Sequence, residues 1–137
     1  MDIEQEKNII EAVIQAFDGY FEACHQCDPA KGLSFIVDDN DVTVIEDSEI
    51  RPSRQALEEW IYEFFKSIVK LDATLEERRV FPLALDVAVA TGIFRFSAQT
   101  ASGDAVGGRN AFTFVFVKTG ERWQIKHAHE SSLIVEK

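Results

Sequence analysis

Positive charge is scarce in this sequence. Fourteen Lys and Arg stand against 24 Asp and Glu, a formal net charge of −10 at pH 7. A protein that grips nucleic acid replaces counterions along the phosphates with its own cations, so no nucleic-acid partner is expected. The same balance disfavours adhesion to anionic lipid. Long apolar runs are missing too. Nothing approaches the roughly 18 residues of a membrane-spanning helix, and no membrane partner is expected. The opening Met1-Asp2-Ile3-Glu4-Gln5-Glu6-Lys7 lacks the basic start and apolar stretch of a secretory signal, so a cytoplasmic protein is the expectation.

Cysteine is limited to two residues, too few for a disulfide framework. Cys24 and Cys27 form a C-x-x-C at the C-terminal end of the first predicted helix. There the helix dipole opposes a thiolate, and no second pair completes a zinc site. Cys24 reads as core and Cys27 as incidental. No metal and no cofactor are expected. Proline is limited to three residues, and no repeat, linker or low-complexity segment divides the chain, so residues 1–137 read as one domain.

Apolar residues make up 46% of the chain, and eleven of them are Phe. Each large side chain contributes about 1.5–3 kcal/mol when withdrawn from water, which is enough for one real core at this length. Residues 3–26 carry Ile3, Ile10, Val13, Ile14, Phe17, Phe21 and Cys24 near helical spacing and predict an amphipathic helix. Gly19 within it suggests close packing. Asp28-Pro29 opens a short second helix over 29–36. Asp38-Asp39-Asn40-Asp41 is a turn, and 42–45 a strand. Pro52-Ser53 starts a third helix to about Val69, with Leu57, Trp60, Ile61, Phe64 and Ile68 inward.

The remainder reads as sheet: strands over 71–83, 87–98 and 109–118, with Gly92 marking a bulge. Thr119-Gly120 is a hairpin turn into a last strand. Helices first and a hairpin-linked, largely antiparallel sheet second predict an α+β fold with the helices on one sheet face. Residues 109–117 are apolar on both faces: Phe112, Phe114 and Phe116 on one, Ala111, Thr113, Val115 and Val117 on the other. The second face needs a cover, and a second copy of the chain supplies one, so a homodimer through the sheet is expected.

The last strand carries the clearest candidate site. By strict alternation Trp123, Ile125, His127, His129 and Ser131 share one face, which grades from apolar to polar like a pocket wall. Gln124, Lys126 and Glu130 fall on the other, solvated face. His127 and His129 lie about 6–7 Å apart on that reading. They suit proton transfer, since an unperturbed imidazole titrates near pH 6.5, or they are structural histidines bonded to backbone. Arg95 and Arg109 sit inside apolar strands. Each is either a clamp for a carboxylate or phosphate, or a salt bridge at a strand end or dimer rim. Tyr20, Trp60 and Phe64 share the spacing of core residues and could equally line a pocket. Strands 87–98 and 109–118 contain no Asp or Glu. A carboxylate base would have to come from elsewhere, for example Glu46, Asp47 or Asp18.

The order of elements resembles the nuclear-transport-factor-2-like superfamily, SnoaL-like group, over nearly the whole chain. Thr113 and Val115, the hairpin, and Trp123 followed by His127-x-His129-x-Ser131 resemble the association (hub) domain of calcium/calmodulin-dependent kinase and its free-standing bacterial relatives. The resemblance implies a cone-shaped, cystatin-like roll in which a curved antiparallel sheet wraps N-terminal helices, a pocket between them, and a dimer. It does not imply one activity, because the superfamily includes isomerases, cyclases, dehydratases, transport factors and assembly hubs. The expectation is a domain binding a small apolar or weakly anionic ligand through Tyr20, Trp60, Phe64, Arg95, Arg109, Thr113, Trp123, His127 and His129. The alternatives are a cofactor-independent isomerase, cyclase or dehydratase using His127 or His129, and a hub-like oligomerisation module.

Overall fold

The computed structural model describes residues 1–136. It opens with α1 (Ile3–His25). Asp2 sets the start: its carboxylate accepts the Gln5 N–H at 2.8 Å, and the Gln5 side chain accepts the Asp2 N–H at 2.9 Å. Two otherwise orphaned donors are satisfied reciprocally. Ile9, Val13 and Phe17 are buried. Ile3, expected on the same stripe, is 85% exposed, because residues 1–8 all project beyond the packed core. Gly19 owes its place to packing, since a Cβ there would come within 2.5 Å of the Phe35 ring.

After α2 (Pro29–Leu33), capped by Asp28, the chain forms a hairpin of β1 (Thr43–Glu46) and β2 (Glu49–Arg51). Asp47 and Ser48 turn it with φ of 49° and 71°. β2 has no counterpart in the sequence expectation, being only three residues long. α3 (Arg54–Lys66) is capped by the Ser53 hydroxyl and stops short of Val69. Ile68 and Val69 instead begin β3 (Ile68–Ala84), which is followed by β4 (Val87–Thr100), β5 (Ala105–Thr119) and β6 (Arg122–Glu136).

These last four strands form a hairpin-linked antiparallel meander. The six strands lie in the order β2-β1-β6-β5-β4-β3, with β1 parallel to β6. The fold is α+β: a curved, unclosed sheet with the helices on its inner face. Phe112, Phe114 and Phe116 project inward from β5 and pack with Phe17 of α1, with ring centroids 5.2 Å (Phe17–Phe112) and 5.8 Å (Phe17–Phe114) apart.

Among the described residues, two of the sheet's four register shifts bear on the site. β3 slips register between Leu75 and Glu77, opposite Phe94 and Ile93 and next to Gly92. A Cβ on Gly92 would lie 1.9 Å from the Glu77 carbonyl oxygen, so the glycine makes room for its neighbour's bulge instead of bulging its own strand. The second slip lies between β5 and β6: Val115 pairs with His127, but Phe116 pairs with Ile125. Lys126 is the extra residue of a bulge, and it inverts the alternation of everything after it. This slip decides the site.

Candidate functional site

A cavity of about 370 Å³ lies between the helices and the inner sheet face. α1 contributes Phe17, Tyr20, Phe21 and Cys24, spaced so that successive turns present side chains to one side. α3 contributes Leu57, Trp60, Ile61, Phe64 and Phe65, while β4 and β5 add Phe94, Phe96 and Phe114. Trp60 is held rigid: its ring stacks on Phe64 at 5.1 Å, and the Arg51 guanidinium lies 3.8 Å from its centroid.

One wall is polar. Glu46 of β1 and Glu130 of β6 are register partners in the parallel pair, and both line the cavity. Asp47 follows Glu46, its N–H donating to the Glu130 carbonyl at 3.0 Å and its carboxylate accepting the Ser132 N–H at 2.7 Å. Asn110 of β5 donates from Nδ2 to Ser132 Oγ at 2.9 Å. Its Oδ1 is buried with no partner.

The electrostatics follow from this crowding. Burial pushes the Glu130 carboxyl up to about 8, and the charges of Glu46 and Asp47 add to the effect. Burial also raises Glu46, partly offset by Arg51. Two carboxyls side by side in a low-dielectric wall cannot both ionise cheaply, so the pair retains a proton near neutrality. Tyr20 is raised by burial and by the neighbouring Cys24 and Glu130. Burial pushes the Cys24 thiol up to about 12, making it an inert part of the wall. His25 lines the cavity as a tether. Its Nε2 accepts the Ala73 N–H at 2.9 Å, which leaves Nδ1–H to donate to the Phe21 carbonyl at 3.1 Å.

Of the residues expected at the site, Tyr20, Trp60 and Phe64 line the cavity. Trp123 is buried in the core but is not part of the cavity wall. His127 and His129 face the other side of the sheet. The strict alternation read from the sequence fails at the Lys126 bulge, and Ala128, Glu130 and Ser132 turn inward instead. Glu130, read as solvated, is therefore the deep polar group, and Thr113, paired with His129, lies outside with it. Arg95 and Arg109 are cross-strand partners on that outer face, and both grip Glu76, Arg109 at 2.6 Å. They do not reach the cavity. Glu46 and Asp47, two of the three acids considered for a base, do line it; Asp18 instead binds Arg78 at 2.7 Å. Glu130, Asn110 and Ser132 were missed. The one signal was Ala128, a small apolar residue in an otherwise polar run. Among the described residues no group of three or more His, Cys, Asp or Glu is arranged to hold a metal ion.

The sequence profile of the SnoaL-like domain matches residues 13–135. This chain belongs to the SnoaL-like domain family. Solved structures extend the likeness. A Xanthomonas campestris protein, provisionally named a calcium/calmodulin-dependent protein kinase II association domain, is 25% identical with a TM-score of 0.76, covering 88% of this chain and 85% of its own. A nuclear transport factor 2-like superfamily protein from Salmonella enterica is 18% identical, with a TM-score of 0.80 and 92% of both chains covered. A protein from Novosphingobium aromaticivorans, provisionally named a scytalone dehydratase, is 11% identical, with a TM-score of 0.85 over 95% of this chain and 89% of its own. A search of curated proteins returns no match. The SnoaL-like fold thus stands on both sequence and structure. In this SnoaL-like chain the lining is aromatic with one acidic wall. No helix among the described residues is long and apolar enough to cross a membrane.

Proposed function

We propose that this chain binds a compact, mainly apolar small molecule in the cone between helices and sheet. The observation that carries the reading is the cavity itself: about 370 Å³, walled by aromatic side chains from two helices and two strands, with polar groups gathered on one side. A space of that size with few convergent polar groups is what a small-ligand site requires. Native mass spectrometry on freshly purified protein tests it by reading retained small-molecule mass. Titration with a hydrophobic fluorophore adds a second readout. Trp60→Ala should weaken fluorophore binding by about tenfold or more, since a stacked aromatic wall is lost. Equal affinity in wild type and variant would count against the cavity as the binding place.

One observation favours a second reading, acid–base catalysis on the bound molecule. The Glu46–Glu130 pair holds a proton near neutrality inside the cavity, as a general acid or base requires. The histidine version of that reading loses its support, because His127 and His129 face away. An active substrate would show turnover whose pH dependence vanishes in Glu130→Gln.

We also propose that two copies pair through the outer sheet face. Ile93, Ala111, Thr113, Val115 and Leu133 form an apolar strip there, with Leu133 69% exposed. The same native spectrum reads subunit number: a dimer that Val115→Arg converts to monomer supports the pairing, and a larger ring points to a hub-like assembly.

A further inference from the structure

We infer that the ligand's polar group is a protonated amine: the cavity's polar wall is a receptor for an organic ammonium attached to an apolar body. The inference rests on the small-molecule reading above and specifies the ligand's charge. The carrying observation is an excess of acceptors on one wall. Glu46 and Glu130 bring two carboxyl groups to it, and Asp47, an exposed turn residue at the cavity's edge, already has its carboxylate on the Ser132 N–H. Asn110, only 5% exposed, adds an amide oxygen with no partner, its Nδ2 being committed to Ser132. A buried acceptor without a donor is costly, so the wall is complete only when a donor arrives. An ammonium group carries three donors and a positive charge on a small volume.

The surroundings agree with that choice. Among the described residues, the guanidinium that acts on the acid pair is Arg51, whose Nη1 is buried without a hydrogen-bond partner and which does not line the cavity. It is stacked on Trp60 and held by Glu49 at 3.4 Å. It moderates the acids and presents no anion clamp to a ligand. The charged and titratable groups facing Glu130 are Tyr20 and Cys24 from α1, Glu46 from β1, Asp47 from the turn and Arg51 from β2. α3 and β5 offer it no charge. His25 is committed to Phe21 and Ala73. An arriving ammonium adds a counter-charge inside the cavity, where Arg51 places none. Glu130 then releases its proton to solvent and accepts from the nitrogen as a carboxylate. The formal charge of −10 draws cations toward the protein at long range. Aromatic faces around the cavity, such as Tyr20 and Phe114, add favourable cation–π contact.

Three probes that share one apolar body separate the outcomes: 2-phenylethylamine, 2-phenylethanol and phenylacetate, titrated calorimetrically into the full chain at pH 7. The amine is expected to bind at least about tenfold more tightly than the alcohol, and phenylacetate more weakly than either. Measured in two buffers of different ionisation heat, amine binding should release protons while alcohol binding releases none. In Glu130→Gln the amine's advantage over the alcohol should fall to about threefold or less, with an unchanged circular dichroism spectrum showing that the variant is folded. Equal affinity for amine and alcohol, or tighter binding of phenylacetate, would overturn the inference and leave the cavity reading intact. Binding of none of the three would remove the cavity reading and the inference together.

Discussion

The two faces of the sheet carry the same kinds of residue and treat them in opposite ways. Inside, Glu130 sits beside Glu46 on the acidic wall of an otherwise apolar cavity, and its carboxyl is pushed up. Outside, Glu76 lies between Arg95 and Arg109, and its carboxyl is held below the usual range, chiefly by Arg95 and then by Arg109. One glutamate keeps its proton near neutrality and the other gives its proton up early. The difference teaches that a carboxylate's role here is decided by its face of the sheet: burial beside like charge makes a proton store, and exposure beside cations makes a brace. The histidines illustrate the same division. His127 and His129 lie on the outer face, away from the cavity between helices and sheet.

Packing offers the largest test of this contrast. Phe116 is fully buried on the inner face, so Phe116→Ala should cost about 3–5 kcal/mol in urea denaturation, the usual range for a core aromatic. Thr113→Ala, on the outer face of the same strand, should stay within about 0.5 kcal/mol at protein concentrations too low for pairing. Comparable losses at both positions would erase the distinction between the faces.

Next comes the acid pair. An unfolded glutamate titrates near pH 4.3, whereas folded Glu130 keeps its proton to about 8. Between those values the folded state binds the extra proton, so this group's contribution to stability falls as pH rises from roughly 4.5 to 8. Glu130→Gln should remove that penalty and raise stability by about 1–3 kcal/mol at pH 8.5, with little gain at pH 4.5. A gain of equal size at both pH values would show that its carboxyl is not a buried proton store.

The outer acid should show the opposite sign and a smaller size. Glu76 has a lowered folded pKa, so its stabilisation is present above the unfolded value and lost as pH falls through the folded one. Glu76→Gln should therefore lower Tm slightly at pH 7, with the difference closing in acid. Stabilisation by this change at pH 7 would mean that the arginines do not brace it.

The smallest effect is expected at the histidines. His127→Ala and His129→Ala should leave fluorophore affinity within about twofold of wild type, since neither lines the cavity. A loss near tenfold in either would put the site on the wrong face.

Much of this molecule was legible before its structure. The first helix follows from apolar spacing, Gly19 from close packing and the Thr119-Gly120 hairpin from turn chemistry, because those signals are local. The third helix was read too long, since Ile68 and Val69 suit a strand as well as a helix and only the pairing of β3 with β4, Ile68 against Thr100 and Lys70 against Gln99, decides. Half of the site was legible in the same way. Tyr20, Trp60 and Phe64 sit on helical faces that point inward whatever the sheet does. Glu46 could be named as an available acid without being placed.

What the sequence alone determined, then, is the element order, the hairpins, the aromatic face of β5 and the negative charge, each set by residues near one another in the chain. Which acids meet, and which face of β6 sees the cavity, was left to the tertiary structure. Glu46 reaches Glu130 only because β1 lies parallel to β6, a contact between distant segments. The inward turn of Glu130 depends on one extra residue, Lys126, whose bulge exists only against the register of Val115 and Phe116. A strand's alternation is a local rule, but its phase belongs to its partner, and a single slip exchanges every side chain between core and solvent.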